Sequence, residues 1–161
     1  MSTQKENRQS GRTALSEKAR KYCAYAERCT WDVRQKLMRL GASGHDITDI
    51  IGELVEEGYL DDSRFAAFFA TGKFRNNRWG KQKIRAELLK RGITEQVIRQ
   101  ALATIDDEAY DNCLRWLIDK KNAGLDRKNA RDAGTKIVAY CVQKGFEADH
   151  VIRLLDEMRQ S

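Results

Sequence analysis

Proline is absent from the 161 residues, so no position lacks the N–H that a helix interior needs. Strand-length windows of alternating β-branched residues are also missing, which leaves little from which to build a sheet. The longest wholly apolar run is six residues, 65–70, too short to span a bilayer. The first thirteen residues are polar and hold no apolar core, so no secretory signal is expected. Histidine occurs only twice, at His45 and His150, each in a turn region after a glycine, where a solvated or capping role is expected. The four cysteines, Cys23, Cys29, Cys113 and Cys141, lie on helical stripes with no CxxC spacing. They read as reduced, buried thiols of a cytoplasmic protein, and neither a metal nor a cofactor is expected.

What remains is charge set at helical spacing. Charged residues make up 34% of the chain and fall between apolar residues three and four apart, the pattern of an all-α protein. The expected helices cover about 16–28, 30–40, 45–57, two within 61–92, then 94–104, 107–122, 127–144 and 147–159. Gly58 suits the left-handed position that ends a helix. Asp61 suits the N-cap of the next one, with Leu60 and Phe65 spaced as a hydrophobic staple. Phe65, Phe68 and Phe69 read as one apolar stripe of that helix. Ile84, Leu88 and Leu89 form the next, and Gly92 stops it.

Three glycines reveal an internal repeat. Eight residues before Gly41, Gly92 and Gly145 stand Val33, Ile84 and Ile137. Four before stand Leu37, Leu88 and Cys141, and three before stand Met38, Leu89 and Val142. Apolar residues recur after each glycine too, at Ile47, Ile98 and Val151 and onward. The segment Leu60–Asp61–Asp62 before Phe65 is echoed by Ile105–Asp106–Asp107 before Tyr110. The expected architecture is an elongated array of three tandem three-helix repeats, 15–60, 61–105 and 106–161, after a flexible tail over 1–14.

The net charge of +6 is unevenly spread. Residues 1–40 carry +6, 41–71 carry −6, and 72–100 carry +7. Arg75, Arg78, Lys81, Lys83 and Arg85 surround Trp79, and this cluster is the leading candidate contact surface. Cationic groups neutralise phosphates, and an indole can stack on an exposed base. A solvated turn with Trp79 packed inward is the competing reading. Arg34, Lys36 and Arg39 on the second helix extend the same argument, whereas Trp31 and Trp116 are expected to pack. Asp61 and Asp62 serve as cap and staple rather than as a metal pair. Arg64 stands unfavourably in a first helical turn, where Asp61 can offset its charge.

Residues 58–93 resemble the signature of the RecX family of bacterial recombination regulators. The residues that carry the resemblance are Gly58, Tyr59, Leu60, Asp61, Asp62, Arg64, Phe65 and Ala66, then Gly80, Ile84, Leu88, Gly92 and Ile93. The family is similar in having tandem three-helix repeats. The resemblance implies a non-enzymatic, cytoplasmic, monomeric regulator of the RecA recombinase. Such a protein binds along or at the end of the RecA–single-stranded DNA filament and typically inhibits ATP hydrolysis and strand exchange. It has contact with single-stranded or duplex DNA as a further option, and none with a membrane. The signature itself reads as caps, staples and core, with no catalytic set. The alternative is a DNA-binding transcription regulator of helix-turn-helix type, since each glycine joins two helices. Acidic residues on the would-be recognition helices after Gly41 and Gly145 weigh against it.

Overall fold

The computed structural model describes residues 1–126 and 128–161. These residues form nine α-helices and no strand. The order is α1 (Ser2–Tyr25), α2 (Thr30–Arg39), α3 (Gly44–Glu56), α4 (Asp62–Asn77), α5 (Lys81–Lys90), α6 (Glu95–Ala103), α7 (Asp107–Ala123), α8 (Ala130–Gln143) and α9 (Ala148–Gln160). The expected start of the eighth helix at Arg127 lies outside the described residues. Two compact units result, residues 1–66 and 67–161, with the boundary inside α4.

In the first unit α1, α2 and α3 pack on one another. Ala19, Val33, Leu37, Ile47, Ile50, Ile51, Leu54 and Leu60 form the buried cluster, with Leu15 and Tyr22 against it. Helix α1 starts at Ser2, where the sequence pattern predicts a tail over 1–14 and a helix only from about 16. The polar first half has no apolar stripe to announce it. It is instead tied down by charge, because Arg12 reaches Glu53 and Asp49 on α3.

In the second unit α7, α8 and α9 pack on one another, and α5 packs on α6. The buried residues include Ile84, Leu88, Ile98, Leu114, Leu117, Ile118, Ile137, Cys141 and Leu154. The rings of Phe74, Tyr110 and Phe146 are in contact, with centroids 5.8 and 4.9 Å apart. Helix α4 buries Phe65, Ala66, Ala70 and Phe74. Phe68, expected on the same stripe, is 67% exposed. It lies three residues from Phe65 but across the helix from Ala66 and Ala70, so the face they define turns it to solvent.

The repeat is present in backbone geometry. Gly41, Gly92 and Gly145 have φ of 81°, 71° and 102°. Each N–H bonds the carbonyl three residues back, and the next N–H bonds the carbonyl five back. This closes a helix with a left-handed residue, for which glycine is favoured. The apolar positions eight and four residues earlier are buried in all three copies, and the one three residues earlier (Met38, Leu89, Val142) is exposed in all three.

Candidate functional site

The signature segment is bound up in local structure. Asp61 caps α4, its Oδ1 accepting from the Arg64 N–H at 3.1 Å. Asp62 reaches the start of another helix, where the Thr30 N–H donates to its Oδ1 at 2.8 Å. Arg64 donates from Nε to Glu27 Oε1 at 2.9 Å and to the carbonyls of Gly58 and Tyr59. Asp61 caps the backbone, then, while the countercharge of the arginine comes from Glu27 and two helix-exit carbonyls. Gly58, with φ of 78°, makes that exit. Leu60, Phe65 and Ala66 are core, and Tyr59 is exposed.

The second unit repeats this joint with altered chemistry. Asp106 caps α7 through the Ala109 N–H at 2.9 Å. Asp107 faces Lys81, at the position equivalent to Thr30, through the ammonium at 3.7 Å. Tyr110, at the position of Phe65, adds a hydroxyl that accepts from the Lys81 N–H at 3.0 Å and donates to Glu147 Oε2 at 2.8 Å. Burial, above all, pushes this phenol far above its ordinary value, so it stays protonated and able to donate.

Gly80 belongs to the same joint. Its N–H donates to the Lys144 carbonyl at 2.8 Å, and the Gln82 N–H donates to the Gly145 carbonyl at 2.9 Å. The free N–H groups at the start of α5 are thereby satisfied by carbonyls at the end of α8. A Cβ on Gly80 would overlap the Gly145 carbonyl and the Phe146 nitrogen, and one on Gly145 would overlap Lys83 Cβ. Ile84, Leu88 and Ile93 are buried behind this joint, and Gly92 closes α5.

The joint divides the predicted basic cluster. Lys81 is held by Asp107 and lies 4.6 Å over the Tyr110 ring. Arg85 pairs with Glu95. Arg75, Arg78 and Lys83 make no ion pair among the described residues. Trp79 is half-buried, set edge-on to Phe69 at 6.3 Å, with the ammoniums of Lys73 and Lys83 at 4.9 and 4.5 Å from its ring centroid. The indole is thus partly packed against Phe69 and partly exposed beside two ammonium groups. In the first unit Arg34 and Arg39 are exposed, and Lys36 lies 5.5 Å from the Tyr22 ring.

Two residues of this surface escaped the sequence reading. Trp116, expected to pack, is 42% exposed. The Arg78 guanidinium lies 3.9 Å and the Lys120 ammonium 4.7 Å from its ring centroid. The signal for Lys120 was its place four residues after Trp116, where the two share a helix face. Nothing local ties Arg78 to Trp116, because that contact depends on how α4 ends. Trp31 is likewise exposed, at 41%.

The other candidate groups are settled in structural roles. Burial pushes the Cys29 thiol up to about 12 and the Cys141 thiol up to about 11, which keeps both protonated and unreactive. All four cysteines are free thiols, and Cys23 and Cys113 are only partly buried. His150 contacts Asp111 at 2.6 Å, and His45 contacts Asp49 at 3.3 Å. Among the described residues, no cluster of three or more histidine, cysteine or carboxylate groups is placed to hold a metal ion. No described helix is long and apolar enough to cross a membrane.

Comparison with known proteins places this arrangement. Residues 61–102 match the family model of the second three-helix domain of RecX. The regulatory protein RecX of Pelodictyon phaeoclathratiforme is 32% identical over 127 residues, which cover 77% of this chain and 78% of that protein. The regulatory protein RecX of Leuconostoc citreum is 31% identical over 138 residues, and that of Bacillus cytotoxicus 24% identical over 139. In both cases the chain spans about half the length of the relative, 52%. The crystal structure of RecX from Lactobacillus salivarius superposes with a TM-score of 0.85 at 22% identity, covering 94% of this chain and 99% of that one. A second regulatory protein RecX superposes with a TM-score of 0.83 at 21% identity, over 91% of this chain and 72% of the other.

Proposed function

This chain belongs to the RecX family of regulatory proteins, and from that premise we propose that it regulates the RecA recombinase. In this reading it binds along or at the end of the RecA–single-stranded DNA filament and lowers ATP hydrolysis and strand exchange. It works by binding rather than by chemistry of its own, as a monomer in the cytoplasm. The partner is the protein–DNA filament.

One observation carries the reading to residues. Lys81 lies 3.7 Å from Asp107 and Arg85 pairs with Glu95, while Arg75, Arg78 and Lys83 carry no countercharge among the described residues. Cations without a countercharge are those that gain most from a polyanion, because binding releases the ions condensed on it. The transcription-regulator alternative draws little support from α3, whose Asp46, Asp49, Glu53 and Glu56, with Glu57 just beyond, would repel a phosphate backbone.

The test is ATP hydrolysis by RecA on single-stranded DNA while this protein is titrated in. The expected result is inhibition well below one protein per RecA. Replacing Arg75, Arg78 and Lys83 together by Gln should raise the concentration needed and flatten its salt dependence. Unchanged hydrolysis at any ratio, accompanied by tight binding to a duplex, overturns the proposal in favour of the transcription regulator.

A further inference from the structure

Helix α4 ends in an unusual residue. Four helix ends close on a glycine with positive φ, at Gly41, Gly58, Gly92 and Gly145. Helix α4 also ends on a residue with positive φ, but that residue is Arg78, with φ of 54°. Its hydrogen bonds reach one residue further back than those at the glycines. The Arg78 N–H bonds the Phe74 carbonyl at 3.1 Å, and the Trp79 N–H bonds the Lys73 carbonyl at 3.2 Å. An L side chain in this conformation is strained, and such outliers concentrate where the side chain has work to do.

The Arg78 side chain forms one layer of a stack. A guanidinium carbon 3.9 Å from an indole centroid can only lie over the face of the ring, and the ring beneath is Trp116. Lys120 Nζ is 4.7 Å from the same centroid. Arg78 and Lys120 have no carboxylate partner among the described residues, and Trp116 is 42% exposed. The result is a solvent-facing pile of two flat π groups beside an unneutralised ammonium.

We propose that Arg78, Trp116 and Lys120 form a single-strand subsite, where an unpaired nucleobase stacks on the guanidinium–indole pile and Lys120 meets the adjoining phosphate. Flat cationic stacking suits a base lifted out of a duplex, since a paired base offers no free face. It suits an acidic peptide poorly, because carboxylates engage a guanidinium in its plane rather than on its face. The inference rests on the filament reading for its setting. Its test uses DNA without RecA, so the subsite and the filament activity fail separately.

The experiment measures fluorescence anisotropy of a labelled thymidine oligonucleotide, and of a duplex of equal length, against the full chain. Trp116→Ala should lose about tenfold or more in single-strand affinity. Its duplex affinity should stay within about twofold, and Trp116→Phe should keep most of the single-strand affinity. Arg78→Gly is a second variant that cannot fail through the backbone, because glycine accepts the closing conformation. It should lose single-strand affinity and lower the salt slope by roughly 0.7. The proposal is overturned if Trp116→Ala binds the single strand like wild type, or loses single strand and duplex equally. It is also overturned if Arg78→Gly leaves both affinity and salt slope unchanged.

Discussion

Both units hold cations on rings as well as on carboxylates, since Arg28 and Lys36 lie over Tyr22 in the first, but the balance differs. In residues 1–66, three arginines pair with carboxylates far along the chain: Arg12 with Asp49 and Glu53, Arg20 with Glu57, and Arg64 with Glu27. In residues 67–161, Lys81 and Arg85 also meet carboxylates, but four other cations lie against rings. Lys73 and Lys83 approach Trp79, and Arg78 and Lys120 approach Trp116. A carboxylate cancels the charge it binds, whereas a ring holds a cation in place and leaves its charge intact. Unit 1 therefore spends these arginines on its own fold, and unit 2 keeps cations positioned but electrostatically available. The helix joints differ in the same spirit. Asp62 accepts from the first N–H of α2, while the start of α5 is met by Tyr110, Asp107 and the Lys144 and Gly145 carbonyls.

The equivalent glycines Gly41 and Gly145 give the largest test of this contrast. Both need a left-handed backbone, but around Gly41 a Cβ has open space, and at Gly145 it strikes Lys83 and the Gly80 carbonyl. In urea unfolding, Gly41→Ala should cost about 1–2 kcal/mol. Gly145→Ala should cost roughly 3 kcal/mol or more, because backbone must move as well. Equal losses would show that the joint yields easily. A smaller effect is expected from Tyr110→Phe, which removes the hydroxyl between the Lys81 N–H and Glu147 and restores the ring type found at Phe65. Thermal or urea unfolding should register a loss of about 1–3 kcal/mol. No loss would mean water replaces the hydroxyl and the joint rests on its glycines.

The smallest effect concerns Glu57 in unit 1. Its hydrogen bond from Arg20 holds the carboxyl below its ordinary value of 4.5. A lowered folded value means the pair stabilises above that pH and ceases to as pH falls through the folded value. Wild type should therefore be slightly more stable than Glu57→Gln at pH 7, and the difference should close on acidification below about 4.5. The pair is exposed to solvent, so the effect should also shrink with added salt. A difference that persists at low pH would assign the effect of Glu57→Gln to something other than this ion pair.

Much of the molecule followed from local sequence. Helix class, the closing glycines, the caps at Asp61 and Asp106, and the core rows at Val33, Ile84 and Ile137 depend on residues within a few turns of one another. Spacing reports such features directly. Spacing could not tell Leu37 from Met38, because both are apolar on one helix and only the neighbouring helices decide which is covered. For the same reason Phe68 and Trp116 read as core and stand in solvent. The helical start of α1 was hidden because Arg12 finds its carboxylates 37 and 41 residues away. The candidate site divides along the same line. The chain's composition placed a basic cluster around Trp79. Tertiary structure took Lys81 and Arg85 out of it and brought in Trp116 and Lys120, because only the packed fold determines which charges meet a carboxylate and which meet a ring.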